Sequence, residues 1–152
     1  MTALLFRTGL CEFLNIEYPI LQGAMAGIAG GRLAAAVSGA GGLGIIGAAS
    51  ADQEWIRQQI NIVRNSTDRP FGVNLMLAAA NIEKVIDLIV EEKVPVVTTG
   101  GGNPGKYMEK LKSADVKVIP VVASVALGRR LVRLGADALI AEGMESGGHV
   151  GE

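Results

Sequence analysis

His149 is the only histidine in the 152 residues, and it stands between Gly147-Gly148 and Gly151. Small neighbours let a ligand come close to the backbone. An imidazole there can move a proton or donate a hydrogen bond near neutral pH. It can equally be an exposed loop histidine, and residue type alone leaves both readings open. Glu142 follows the apolar run 138–141. A carboxylate at such a position either accepts hydrogen bonds from a bound ligand or is a solvated loop acid. Asn74 is embedded in the otherwise apolar run 71–77. A buried amide needs partners, which the core backbone or a ligand must supply.

Other residues narrow the chemistry. Cys11 is the single cysteine, so the chain forms no internal disulfide. With one histidine far from it in sequence, a His/Cys zinc site is not expected. Cys11 itself reads as a small buried hydrophobe, and Met25 as either core filler or a cofactor neighbour. Arg129, Arg130 and Arg133 form a basic stripe at helical spacing. It is either a solvated face or a dock for an acidic partner.

Two stretches match G-x-G-x-x-G. Gly39-Ala40-Gly41-Gly42-Leu43-Gly44 has a helical pattern before it and a strand pattern after it, the reverse of a dinucleotide fingerprint. It reads as a helix end turning into a buried strand. Gly100-Gly101-Gly102-Asn103-Pro104-Gly105 has the correct order, strand then helix, and a phosphate could sit at such a helix start. The following strand has no acid at its end to hold a ribose. A glycine-rich loop near a ligand is the simpler reading.

These residues must be positioned by repeating units. Apolar runs at 19–22, 43–46, 71–75, 94–98, 116–122 and 138–141 read as buried strands. Between them, 32–38, 52–65, 81–92, 105–113 and 124–134 read as helices. Ser50 or Asp52 caps the second of these and Ser124 the last. Pro120 lies inside a strand and removes a ladder donor. Alternating β and α units imply a parallel sheet with right-handed crossovers. Units of roughly two dozen residues, with polar or glycine-rich strand ends, favour a closed barrel over an open sheet. Those ends are Gln22-Gly23, Asn74, Thr98-Thr99-Gly100, Ser124 and Glu142-Gly143. The expected fold is α/β, a TIM-type (β/α)₈ barrel with about six of its eight strands present in residues 1–152. The closing strands are expected to be absent from residues 1–152, which would leave two sheet edges unpaired.

Composition agrees. Hydrophobic residues make up 49% and charged residues 19%, which excludes a disordered chain. A net charge of −1 excludes a basic nucleic-acid module. The first apolar run, residues 3–6, is too short for a signal peptide or a membrane span. A soluble, cytoplasmic protein without a membrane or nucleic-acid partner is expected, with homo-oligomerisation open.

Four motifs, taken in order, carry a resemblance over nearly the whole chain. They are Pro19-Ile20-Leu21-Gln22-Gly23-Ala24-Met25-Ala26, Ala40-Gly41-Gly42-Leu43-Gly44, Phe71-Gly72-Val73-Asn74, and Glu142-Gly143-Met144-Glu145-Ser146-Gly147-Gly148-His149. Together they resemble the superfamily of nitronate monooxygenases and flavin-dependent enoyl-acyl carrier protein reductases II. Residues 98–108, 118–127 and Glu142 look like the reductase branch. Met25-Ala26-Gly27 is closer to the monooxygenase branch, and Ser146 replaces an alanine usual in both. The resemblance implies a barrel with FMN over the strand ends. Gly23, Ala24, Met25 and Ala26 would run along the ring, and Asn74, Glu142, Gly147 and Gly148 would bind the cofactor. It implies NAD(P)H as reductant and a trans-2-enoyl thioester, on acyl carrier protein or as a small molecule, as substrate. His149 would polarise the thioester carbonyl or assist protonation of the α-carbon. The branch alternative is oxidation of alkyl nitronates with oxygen, and a further one is a non-catalytic barrel segment. FMN phosphate is held in this superfamily by loops after the last strands, which are expected to lie outside this chain.

Overall fold

The computed structural model describes residues 7–49 and 51–147. Five strands pair in parallel and in chain order: β1 (Gly44–Gly47), β2 (Phe71–Met76), β3 (Val96–Gly100), β4 (Lys117–Val122) and β5 (Ile140–Ala141). The helices are α1 (Gly9–Leu14), α2 (Gly31–Gly39), α3 (Gln53–Ser66), α4 (Ile82–Glu91), α5 (Met108–Ser113) and α6 (Val125–Arg133). An order that never reverses has no switch point, so the sheet forms a run of barrel wall.

The six expected strands correspond to five strands and one bridge. Residues 19–22 make a single parallel bridge, Leu21 to Leu43. The reason lies in Gln22. The chain turns away at Gly23, and the Gln22 side chain continues the ladder in its place. Its Nε2 donates to the Ile45 carbonyl and its Oε1 accepts from the Ile45 N–H, both at 3.2 Å. The expected helix 105–113 also divides. Asn103 Oδ1 accepts from Gly105 N at 2.9 Å and starts a 3₁₀ turn, Pro104–Tyr107, before α5. α1 carries no sequence signal, having six residues and no side-chain cap.

Pro120 does sit in β4, opposite Thr99. Strand alternation decides where its missing N–H falls. Lys117 N bonds Pro95 on the β3 side, whereas Val118 and Val122 carbonyls accept from Asp137 and Glu142 on the β5 side. Pro120 shares the even parity and so faces β5, where pairing resumes only at Val121. Asp137 covers the gap. Its Oδ2 accepts from Val118 N at 2.8 Å, and Lys112 Nζ holds the same carboxylate at 2.6 Å.

The strands are buried on both faces, as parallel strands under helices must be. Ile46, Val73, Val97 and Val118 point to the helix layer, with Ile56, Ile60, Ile86, Ile89 and Leu111. Leu43, Ile45, Val96, Ile119 and Ile140 point inward, onto Cys11, Leu14 and Ile16. α1 therefore covers the amino ends of the strands. Thr99 lies on the helix side of β3, and its buried hydroxyl has no hydrogen-bond partner among the described residues.

Two contacts set the distance between helix and strand. A Cβ on Gly44 would lie 1.9 Å from the Ala34 carbonyl oxygen, so α2 presses directly on β1. The buried Ser38 hydroxyl donates to Pro70 O at 2.8 Å and accepts from Gly44 N at 3.0 Å, tying α2 to both first strands. On the outer surface Arg57 pairs with Glu91 at 3.0 Å and Arg64 with Glu92 at 2.7 Å. The exposed Arg57–Glu91 pair adds little, about 0–1 kcal/mol.

The α2–β1 contact generates a test. Gly44→Ala should lower unfolding free energy by more than about 3 kcal/mol, because the obstacle is backbone and cannot rotate away. Gly39→Ala adds a methyl with nothing within 4 Å. It should change stability by less than about 1 kcal/mol, in the favourable direction for a helix. Equal effects in denaturant titration would show that this contact does not limit the fold.

Candidate functional site at the carboxyl ends of the strands

Parallel pairing brings all five carboxyl ends to one rim. At the end of β1 the segment after Gln22 crosses over the strand. Ile28 N and Ala29 N both donate to Met25 O, at 3.1 and 2.8 Å, and Gly47 N donates to Ala29 O at 2.8 Å. Gly27 takes φ 73° to close this turn. A Cβ on Gly47 would lie 3.0 Å from Met25 O, so a bare α-carbon is what lets the Met25 backbone lie there. Ala24 packs into the inner cluster. Gly23, Met25 and Ala26 are exposed.

Asn74 pairs in register with Gly47 on one side and Thr98 on the other. Its Nδ2 donates to Thr98 Oγ1 at 3.0 Å. Thr98 is buried, on the inward face shared with Val96. Asn74 Oδ1 accepts no hydrogen bond among the described residues, although the residue is half-buried. A half-buried acceptor in this position is suited to a ligand donor.

Beyond β3 the loop is shaped by Gly101 at φ 66° and Gly102 at φ 152°. A side chain on Gly101 would meet Met76 Sδ at 2.5 Å, so this loop closes over the end of β2. Leu77 N donates to Gly100 O at 2.9 Å and fixes it. Lys106 then stands 4.7 Å from the Tyr107 ring centroid and 2.9 Å from Glu83. Its contact with Tyr107, and next the hydrogen bond to Glu83, raises its pKa above the ordinary lysine value.

Glu142 follows β5 directly, half-buried, and its N–H donates to Val122 O at 3.0 Å. Ser146 N bonds Gly143 O at 3.1 Å, and Gly147 is exposed beyond that turn. Gly148 and His149 lie outside the described residues. The rim thus joins the Met25 turn, Gly47, Asn74 and Thr98 as adjacent groups, with Glu142 further round beyond β4. Among the described residues no cluster of His, Cys, Asp or Glu could hold a metal ion.

A hollow of about 580 Å³ opens on the helix side between α6 and β5. Val125, Gly128, Val132 and Leu139 line it, and Arg129, Arg133 and Glu142 border it. Val125 is 72% exposed there. No helix of the described residues is long and apolar enough to cross a membrane.

Sequence reasoning missed two contributors. Gln22 was visible only as a polar strand end, not as a ladder substitute. The pair Thr98-Thr99 marked a polar strand end but did not show which hydroxyl faces inward.

Comparison with known proteins places this geometry. The structure of FabK from Thermotoga maritima superposes with a TM-score of 0.94 and 54% sequence identity, covering 96% of this chain and 47% of that one. A curated relative from Rhodococcus jostii RHA1, (3aS,4S,5R,7aS)-5-hydroxy-7a-methyl-1-oxo-octahydro-1H-indene-4-carboxyl-CoA dehydrogenase, is 37% identical over 95% of this chain and 41% of its own length. A probable nitronate monooxygenase of Staphylococcus aureus JH9 is 33% identical over 95% of this chain and 51% of its own. The chain therefore spans about half the length of the relatives it matches. The sequence pattern of the nitronate monooxygenase family matches residues 7–84 and 77–152. With that pattern running the length of a parallel barrel wall, this chain belongs to the nitronate monooxygenase family.

Proposed function

We propose that this chain forms the ring-binding rim of an FMN-dependent reductase that takes electrons from NAD(P)H and reduces trans-2-enoyl thioesters. The observation that carries this reading is the 54% identity to FabK, an enoyl-acyl carrier protein reductase II, across 96% of the chain. Identity to the nitronate monooxygenase relative is 33%. The Rhodococcus relative is named for a coenzyme A thioester as well, which favours a thioester substrate.

The residues at the rim suit the flat, polar-edged ring of FMN. Asn74 offers an open acceptor and a second amide N–H. Glu142 adds a carboxylate acceptor, and Gly147 and Gly148 offer backbone that a ligand can approach closely. The Met25 turn, with Gly23, Ala24 and Ala26, supplies a small-residue and thioether wall, laid over Gly47 where a Cβ would intrude. Bound FMN would supply the hydride chemistry, which the protein orients and tunes. His149 would hold a proton near the thioester carbonyl and α-carbon. The exposed Arg129, Arg130 and Arg133 would meet the acidic surface of a carrier protein.

Nitronate oxidation is the second reading, favoured by the family pattern itself and by the Met25-Ala26-Gly27 turn. There His149 would act as base on the nitroalkane.

Two experiments follow. In the purified protein, Asn74→Ala and Glu142→Ala should each weaken FMN binding by about tenfold or more, the loss of one hydrogen bond to a buried or charged partner. Fluorescence titration reads this directly, and unchanged affinity in both variants removes these residues from the site. For the reaction, kcat/KM for a crotonyl thioester with NAD(P)H should exceed that for an alkyl nitronate with oxygen. A preference for nitronate selects the second reading.

A further inference from the structure

We propose that Thr98 is a positioning residue for the cofactor site, acting only through Asn74. The inference rests on the reading above that Asn74 contacts FMN. Thr98 and Asn74 are register partners on adjacent strands, and both point inward. The Asn74 Nδ2 to Thr98 Oγ1 bond is 3.0 Å, and Thr98 is 2% exposed. A ligand above the rim therefore does not touch a Thr98 that is sealed under its neighbours. What it meets is the Asn74 amide, which swings freely about its last bond unless one end is tied. Thr98 ties the nitrogen end. Oδ1 and the remaining N–H are then held in one orientation before any ligand arrives, and less ordering entropy is lost on binding.

Thr99 provides a control within the same strand. It has the same side chain and nearly the same burial, 1% exposed, but faces the helix layer, where its hydroxyl has no partner among the described residues. A general effect of removing a buried threonine hydroxyl from β3 would appear at both positions. An effect through Asn74 appears at Thr98 alone.

FMN affinity, measured by flavin fluorescence in the purified protein, separates the outcomes. Thr98→Val should weaken binding by about fivefold, and Thr98→Ser should restore it to within about twofold. Thr99→Val should leave it unchanged. In an Asn74→Ala background, Thr98→Val should cost less than about twofold more, because the group it positions is gone. Where Thr98→Val does not fold, by circular dichroism, Thr98→Ala removes the same hydroxyl and is read in the same way. The proposal is overturned if Thr98→Val binds FMN normally while Asn74→Ala does not, or if the two losses multiply in the double variant. An Asn74→Ala variant with normal affinity instead overturns the cofactor reading on which it stands.

Discussion

Parallel pairing in chain order is the constraint on which the rest depends. Each strand must be followed by a helix that returns the chain to the opposite end, so every carboxyl end reaches one rim. That places Gly47, Asn74 and Thr98 side by side although they are far apart in sequence. The helix return must also fit closely. Ala34 of α2 touches the α-carbon of Gly44, and the Ser38 hydroxyl joins the first two strands at the same level. A wider α2–β1 spacing would move Gly47 and the Met25 turn relative to Asn74, so the rim inherits its geometry from contacts on the other face of the sheet.

Where the ladder is interrupted, a side chain replaces backbone. Gln22 does so at the first bridge and Asp137 beside Pro120. Both substitutions have the same logic, since a buried strand group left unpaired costs about 1–3 kcal/mol. They differ in consequence. Gln22 releases the main chain from the sheet just before the rim, which makes the Met25 turn possible. Asp137 keeps β5 aligned with β4 across the proline and so fixes where Glu142 begins.

Much of this was legible in the sequence, and the losses have physical causes. Caps were readable because they are local: Asp52 Oδ1 accepts from Trp55 N at 2.8 Å and Ser124 Oγ from Leu127 N at 3.3 Å. The reversed glycine motif was readable because α2 ends at Gly39 and β1 starts at Gly44. α1 was not, because it is held by burial of Cys11 and Leu14 against distant strands rather than by its own periodicity. The facing of Thr98 and Thr99 was not either. In a strand buried on both faces, apolar and polar residues do not alternate, so sequence carries no parity. Only the register with β2 reveals that Thr98 looks inward.

The charge pattern of the rim has a further implication for how a flavin would divide between this chain and the remaining length of its relatives. Toward the carboxyl ends the inward strand positions are Gly47, Asn74, Met76, Thr98, Gly100 and Val121, with Glu142 after them. None is cationic. The inward lysine of β4, Lys117, is at the opposite end, 5.5 Å from the Phe13 ring centroid. Lys106, Lys110 and Lys112 are committed to Glu83, Asp87 and Asp137 on the outside. A phosphate dianion beside Gly47, Asn74 and Thr98 would meet no cationic side chain on these inward positions. An uncharged ring edge needs no such countercharge and finds the Asn74 amide to bond. On the proposed reading the rim therefore takes the ring end of FMN, and the phosphate belongs on strand ends other than these.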